Sequence, residues 1–65
     1  MKVITAVKKY LMTDKEIFLQ SVNDVGVYAV DKSVDFYSRY GDRVANASVK
    51  RIDIDESPSS VTIYI

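Results

Sequence analysis

Six side chains in the middle of the sequence combine residue types that stack on bases, contact phosphates or anchor protein interfaces. Aromatic rings and guanidinium groups bind single-stranded nucleic acid by stacking and by charge. The same residue types are enriched in the hot spots of protein interfaces. A tyrosine-lined sheet edge with ordinary charge neighbours, such as Arg39 and Asp35, is the simpler interpretation and the one that these residues favour. The candidate binding residues are Tyr37, Arg39, Tyr40, Arg43, Lys50 and Arg51.

Three carboxylates near the C-terminus are the candidates for a metal site. Asp53, Asp55 and Glu56 follow one another closely, and the two aspartates would project from one face of a strand. Oxygen ligands of this kind bind Ca²⁺ or Mg²⁺, but the spacing lacks the glycine and the downstream glutamate of a calcium loop. Solvated charges at a strand end are the better interpretation. We expect no metal ion and no other cofactor.

The composition disfavours an enzyme. His and Cys are both absent, so the residues that most often supply general acid–base and thiol chemistry are missing. Gly26 and Gly41 are the only glycines, and they form no phosphate-binding loop. Without cysteine there is no disulfide, and without histidine as well a high-affinity zinc site is not expected. We therefore predict a non-catalytic protein.

Length and charge indicate one small domain without a strong electrostatic field. The 65 residues form a single domain, 1–65, near the lower size at which a chain folds alone. Nine basic residues balance nine acidic ones, which disfavours a protein whose main task is to neutralise phosphates. No apolar run has the length of a membrane span and no signal-peptide pattern is present, so a cytoplasmic protein is expected. Self-association is the expected additional source of stability.

The start of the sequence predicts an amphipathic helix. Val3, Ile4, Val7 and Leu11 are spaced to share one helical face, with polar residues opposite. A helix packed across a sheet is the expected role, rather than a basic membrane anchor.

Residues 14–22 carry conflicting signals. Thr13 and Glu16 have the spacing of a helix capping box. The β-branched and aromatic residues that follow favour a strand, with Asn23 and Asp24 as the turn after it. The strand is the preferred interpretation.

Two strands are predicted in the middle of the chain. Residues 25–30 are apolar on both faces, as in a central strand, and Gly26 within them indicates a bulge or a close backbone approach. Residues 34–40 are rich in strand formers, which favours a meander with 25–30. A single helical turn capped by Ser33 and ended by Gly41 is the alternative.

The last third of the sequence predicts a β-hairpin. Residues 49–55 and 61–65 alternate in polarity around a polar break that contains Pro58. Val49 and Ile52 have opposite parity, so a bulge or sharp bend is expected between them, near 50–51. In the second strand Tyr64 is expected to project from the face opposite the apolar residues.

These elements together predict an α+β fold: an N-terminal helix packed on a small, mainly antiparallel sheet of roughly three to five strands, ending in a C-terminal hairpin. The free edge of this sheet is expected to be the strand 61–65. The expected core consists of Val3, Ile4, Val7, Leu11, Ile17, Phe18, Val27, Ala29, Ile52, Ile54, Val61 and Ile63.

The layout resembles that of small, mostly uncharacterised proteins encoded by bacteriophages and prophages. In those proteins a short N-terminal helix like 1–11 precedes a meander and a C-terminal hairpin such as 49–55 with 62–65. The resemblance implies an accessory or host-directed binding role. We expect a non-catalytic module that binds another protein or itself, pairing its free edge across a two-fold axis. The alternative is a small nucleic-acid-binding protein that uses the Tyr/Arg surface at 37–51.

Overall fold

Two helices lie on one face of a four-stranded sheet in the computed structural model, which describes residues 1–23 and 26–65. The predicted α+β class, the N-terminal helix and the C-terminal hairpin are confirmed, and the second helix is an addition. The elements are α1 (Val3–Tyr10), β1 (Glu16–Gln20), β2 (Val27–Ala29), α2 (Phe36–Ala45), β3 (Arg51–Glu56) and β4 (Ser59–Tyr64).

The strands lie in the order β2-β1-β4-β3. The two outer pairs are antiparallel and the central pair, β1 with β4, is parallel. The C-terminal strand is therefore inside the sheet, and the prediction that it forms a free edge is wrong. β1 pairs with the other side of β4, from Glu16 beside Ser60 to Gln20 beside Tyr64. The edges are β2 and β3.

Helix α1 buries the face that its apolar spacing predicts. Val3, Ile4 and Val7 are buried, and Leu11 packs half-buried just beyond the helix. The side chain of its N-cap residue, Lys2, makes no capping hydrogen bond. Instead, the N–H of Val3 donates to the carbonyl of Ala47 at 2.9 Å, so the segment that leads into β3 holds the N-terminus of the helix.

The strand interpretation of 14–22 is confirmed by β1. Thr13 does not cap a helix that follows it. Its hydroxyl donates to the carbonyl of Tyr10 at 2.7 Å and accepts from the N–H of Lys15 at 3.3 Å. Thr13 therefore closes the C-terminal end of α1, which explains why a polar cap residue stands directly before a strand.

The preferred strand at 34–40 is wrong, because this segment begins α2. Asp35, and not Ser33, caps the helix, since its carboxylate accepts the N–H of Ser38 at 3.0 Å. Gly41 does not end the helix but bends it, with φ 88° and ψ 164°. Phe36 before the bend and Ala45 after it are both buried in the same core. Tertiary packing of these two residues outweighs the strand propensity of the segment.

A strand is present within the predicted segment 25–30, but its predicted central position is wrong. β2 has only three residues and lies at the sheet edge, where Val27 and Tyr28 are 54% and 57% exposed. Val30, directly after it, is buried. A Cβ on Gly26 would lie 3.1 Å from Tyr28 Oη, so the close approach at this glycine comes from a side chain. The parts of the predicted turn and strand that fall on residues 24 and 25 lie outside the described residues.

The pairing irregularity predicted near 50–51 is present. The N–H of Lys50 donates to the carbonyl of Tyr64 at 2.7 Å, although the register partner of Tyr64 is Arg51. Two successive residues thus face one, which is the arrangement of a bulge. From Arg51 to Glu56 the pairing with β4 is regular.

The core lies between the two helices and the inner face of the sheet. Phe18 is not part of it, because Ile17 next to it already points inward and neighbours in a strand face opposite sides. Val27 and Ala29 are exposed on the edge strand β2, and Ile54 on β3 is 49% exposed. The core residues are Val3, Ile4, Ala6, Val7, Tyr10, Ile17, Leu19, Val30, Phe36, Ala45, Val61 and Ile63. Within the described residues, no helix has the length and hydrophobicity to cross a membrane.

Candidate functional site

The sheet has a second face, which we call the open face, directed away from the helices. Ile17 beside Val61 and Leu19 beside Ile63 point into the core, so the residues between them point the other way. In the part of the chain that the structure describes, both helices contribute their buried residues to the opposite side. The open face consists of Glu16, Phe18, Gln20, Val27, Ala29, Arg51, Asp53, Asp55, Ser60, Thr62 and Tyr64.

Strand register arranges the centre of the open face in three rows. The first row is Gln20, Tyr64 and Arg51, the middle row is Phe18, Thr62 and Asp53, and the third row is Glu16, Ser60 and Asp55. Except for the exposed Glu16, the open-face residues of β1 and β4 are half-buried. Their positions are fixed by strands paired on both sides, which makes them more rigid than loop residues.

An aromatic and a guanidinium group are paired in the first row. The guanidinium carbon of Arg51 lies 4.3 Å from the centroid of the Tyr64 ring, and Arg51 Nη2 lies 3.2 Å from Asp53 Oδ2. Contact with the Tyr64 phenol and then the charge of Asp53 raise the pKa of Arg51 above its ordinary value. Both members of the ion pair are about half exposed or more, so the pair itself adds little stability. Its effect is to hold the Arg51 side chain along β3, towards Asp53.

Charge is divided unequally along the open face. Arg51 lies at one end of β3, whereas Asp55 and Glu16 occupy the third row at the other end. Asp53 between them already contacts Arg51. Three carboxylates therefore share this face with one guanidinium, which is unfavourable for a polyphosphate backbone.

The six predicted binding residues do not form one surface. Tyr37, Arg39, Tyr40 and Arg43 belong to α2, in the helical layer, whereas the side chain of Arg51 lies on the open face. Lys50 borders a shallow depression at the top of that face with Arg51 and Tyr64. The structure thus brings the last two predicted residues together and separates them from the four on the helix.

Tyr40 has a structural position. Its hydroxyl accepts the N–H of Asp31 at 3.0 Å and is 3.5 Å from the carbonyl of Ala29, to which it donates. Val30 donates inward to Ile17, so the polar groups of its two neighbours point outward from the edge strand. The phenol therefore occupies the end of the β2 edge, which limits strand pairing there. Its ring also packs on Phe36, at 4.7 Å between centroids.

Two cavities flank α2. One of about 230 Å³ lies against β2 and is almost entirely apolar, with Leu19, Tyr28 and Val44 among its lining residues. The other, of about 200 Å³, lies between α1 and the segment before α2, with Lys8 and Asp35 at its rim. Neither presents convergent polar groups of the kind that fix the orientation of a small ligand.

The acidic residues near the C-terminus alternate in direction along β3. Asp53 and Asp55 lie on the open face, whereas Glu56 lies 3.4 Å from Lys15 Nζ. Among residues 1–23 and 26–65, no group of three carboxylates lies close enough together to hold a metal ion.

Two residues of the open face, Phe18 and Tyr64, were not among the predicted binding residues. The sequence does contain a signal for Tyr64: the alternation in 61–65 directs its side chain to the face opposite its apolar neighbours. Phe18 has a comparable signal, since it stands between two apolar residues of the other parity, but its hydrophobicity alone favours a core position.

Comparison with known proteins gives no family for this chain: no family model, no curated protein and no solved structure matches it. The resemblance to phage-encoded proteins stays a prediction.

Proposed function

We propose that this protein is a non-catalytic protein-binding module that makes its contact through the open face. The observation that carries the proposal is the position of Phe18 and Tyr64 on the two central strands, on the side away from both helices. Half-buried aromatic residues on a rigid sheet, with a polar rim, are typical of the centre of a protein interface. Arg51, stacked on Tyr64, adds a second residue type enriched there.

Protein is favoured over nucleic acid as the partner by the charges around these rings. An open sheet with aromatic residues on its central strands is also the platform that some RNA-binding domains use. Such a platform needs cations for the phosphates, and here Arg51 is engaged by Asp53, while Glu16 and Asp55 add negative charge. The zero net charge of the chain supports the same conclusion.

Site-specific photo-crosslinking tests the proposal on the full chain in its source cells. A benzophenone side chain replaces Thr62, in the middle of the open face, and in a matched control it replaces Met12, which is 96% exposed. We expect protein adducts from position 62 and not from position 12. Adding Phe18→Asp to the first chain should abolish its adducts, because a charge at the centre of an interface is desolvated without a partner.

Two outcomes would contradict this function. Equal adducts from positions 62 and 12 would show that the open face is not a specific contact surface. Salt-sensitive binding of a single-stranded oligonucleotide, lost in Phe18→Asp and measured by fluorescence anisotropy, would favour the nucleic-acid alternative.

A further inference from the structure

The open face is complementary to itself when its two ends are exchanged. A two-fold axis parallel to the rows, through the middle row, places each strand over its own copy and the first row over the third. Arg51 of one copy then faces Asp55 of the other, and this contact occurs twice. Gln20 likewise faces Glu16, and Tyr64 faces Ser60. Every exchange sets a hydrogen-bond donor against an acceptor.

From this complementarity we infer that the partner of the open face is a second copy of the chain, and this inference rests on the proposed function. Phe18 in the middle row supplies the apolar centre, because residues on the axis meet their own copies. Phe18 meets Phe18 and Thr62 meets Thr62, with the aromatic pair in the offset arrangement that such rings favour. Sheets packed face to face lie about 10 Å apart and are rotated by about 30°.

The spacing along β3 fits this arrangement. Arg51 and Asp55 are four residues apart on a regular strand, which is about 13 Å, and Asp53 lies midway between them. The axis through the row of Asp53 therefore brings each guanidinium opposite the partner's carboxylate. The long arginine side chain accommodates the rotation between the sheets. It can also keep its contact with Asp53, which offsets the repulsion where the two Asp53 side chains approach each other.

Other registers of the same two faces are less favourable. An axis along the strands would place the apolar residues of β2 over the charged residues of β3, so that Val27 would face Arg51 and Ala29 would face Asp53. That arrangement desolvates charges against apolar groups. When the first and third rows are exchanged instead, Phe18 packs on its own copy in the middle row and Arg51 faces the partner's Asp55 at the rim.

A charge swap tests the inference, with sedimentation equilibrium over a concentration series as the measurement. Wild type should form dimers that weaken as salt rises, because the ion pairs lie at the rim. Arg51→Glu and Asp55→Arg should each raise the dissociation constant about tenfold or more. The double variant should return to within about threefold of wild type, because each new glutamate faces a new arginine. Lys9→Glu, at an exposed position on α1, is the matched charge-reversal control and should leave the constant unchanged.

The outcomes separate this inference from the proposed function. A wild-type chain that stays monomeric at high micromolar concentration overturns the dimer; adducts with other proteins from position 62 would then leave the protein-binding function intact. Loss of those adducts as well would remove both. If the single variants weaken the dimer and the double variant does not restore it, the pairing of Arg51 with Asp55 is wrong. Circular dichroism of each variant confirms that it is folded.

Discussion

The two faces of the sheet are made by alternate residues of the same strands, yet they differ in almost every physical property. On the covered face Ile17, Leu19, Val61 and Ile63 are between 0% and 3% exposed and pack against both helices. On the open face their neighbours are half-buried, aromatic or polar. Because burial drives folding, the covered face provides most of the stability. The open face is therefore free to carry a binding surface at little cost in stability.

The largest effect that this comparison predicts is a difference between adjacent residues of β4. Ile63→Ala removes a fully buried side chain and should lower the free energy of unfolding by about 2–5 kcal/mol. Thr62→Ala, one residue earlier on the open face, should change it by less than about 1 kcal/mol. A domain of this size has roughly 3–5 kcal/mol in total, so Ile63→Ala should be largely unfolded at room temperature.

Urea denaturation followed by circular dichroism measures this difference. Ile63→Val, which should cost about 0.5–1.5 kcal/mol, keeps the chain folded and allows a quantitative comparison with Thr62→Ala. Equal losses at positions 62 and 63 would mean that the open face is also covered in the folded protein.

The second prediction concerns the bend that brings both halves of α2 onto the covered face. Gly41 has a backbone conformation that is nearly exclusive to glycine, and a Cβ there would have nothing within 4 Å. The cost of Gly41→Ala is therefore backbone strain alone, about 1–3 kcal/mol in the free energy of unfolding. Ser38→Ala, on the same helix, should cost much less.

Chemical synthesis of the chain supplies a sharper control for the bend. D-alanine at position 41 adds the same methyl group but favours positive φ, so it should be tolerated or slightly stabilising. If D- and L-alanine destabilise the protein equally, as judged by thermal unfolding, the cause is steric and not the conformation of the bend.

The covered face could be predicted from the sequence wherever its apolar residues repeat at the spacing of a helix or a strand. Val3, Ile4 and Val7 repeat at helical spacing, and Val61 and Ile63 at strand spacing, so both sets were assigned to the core correctly. The segment at 34–40 could not be assigned in this way, because its strand formers are overridden by long-range packing of Phe36. The parallel pairing of β1 with β4 is likewise a long-range choice that no local pattern contains.

The open face was predicted only in part, for a different reason. Of its residues, Arg51 is a binding candidate from its residue type, whereas the sequence places Phe18 in the core because it is apolar. Which parity of β1 faces inward depends on the helices that cover it, and the sequence offers a helix at 34–40 only as the alternative to a strand. Tyr40 was assigned to binding, but its hydroxyl occupies the edge of β2. Residue type selects side chains that favour contacts, whereas the fold determines which of these side chains already make their contacts within the protein.

The third prediction tests whether the Tyr40 hydroxyl occupies the end of the β2 edge and so limits strand pairing there. Tyr40→Phe keeps the ring on Phe36 and removes the hydroxyl that accepts the Asp31 N–H at 3.0 Å. We expect a loss of about 0.5–1.5 kcal/mol in the free energy of unfolding, the usual contribution of one hydrogen bond. Hydrogen exchange at the Asp31 amide should become faster, and Tyr37→Phe should leave it unchanged. Unchanged exchange in Tyr40→Phe would remove the edge role.

The smallest expected effect lies at Asp31, two residues after β2. Its carboxylate accepts one hydrogen bond from the hydroxyl of Ser33, at 2.5 Å, and another from the Ser33 N–H, at 2.9 Å. The Ser33 hydroxyl and then its N–H hold the pKa of Asp31 below 3.8, its ordinary value. A depressed pKa in the folded protein stabilises it above the pKa of the unfolded chain, and this stability is lost as the pH falls through the folded pKa.

Ser33→Ala removes the larger cause and should raise the pKa of Asp31 towards 3.8 in an NMR titration of its carboxyl carbon. Asp31→Asn should lower the thermal midpoint slightly at pH 7, and the difference from wild type should shrink below about pH 4. A difference that persists in acid would show that Asp31 acts by geometry and not by charge. Because the carboxylate is solvent-exposed, the whole effect should stay well below that of any substitution on the covered face.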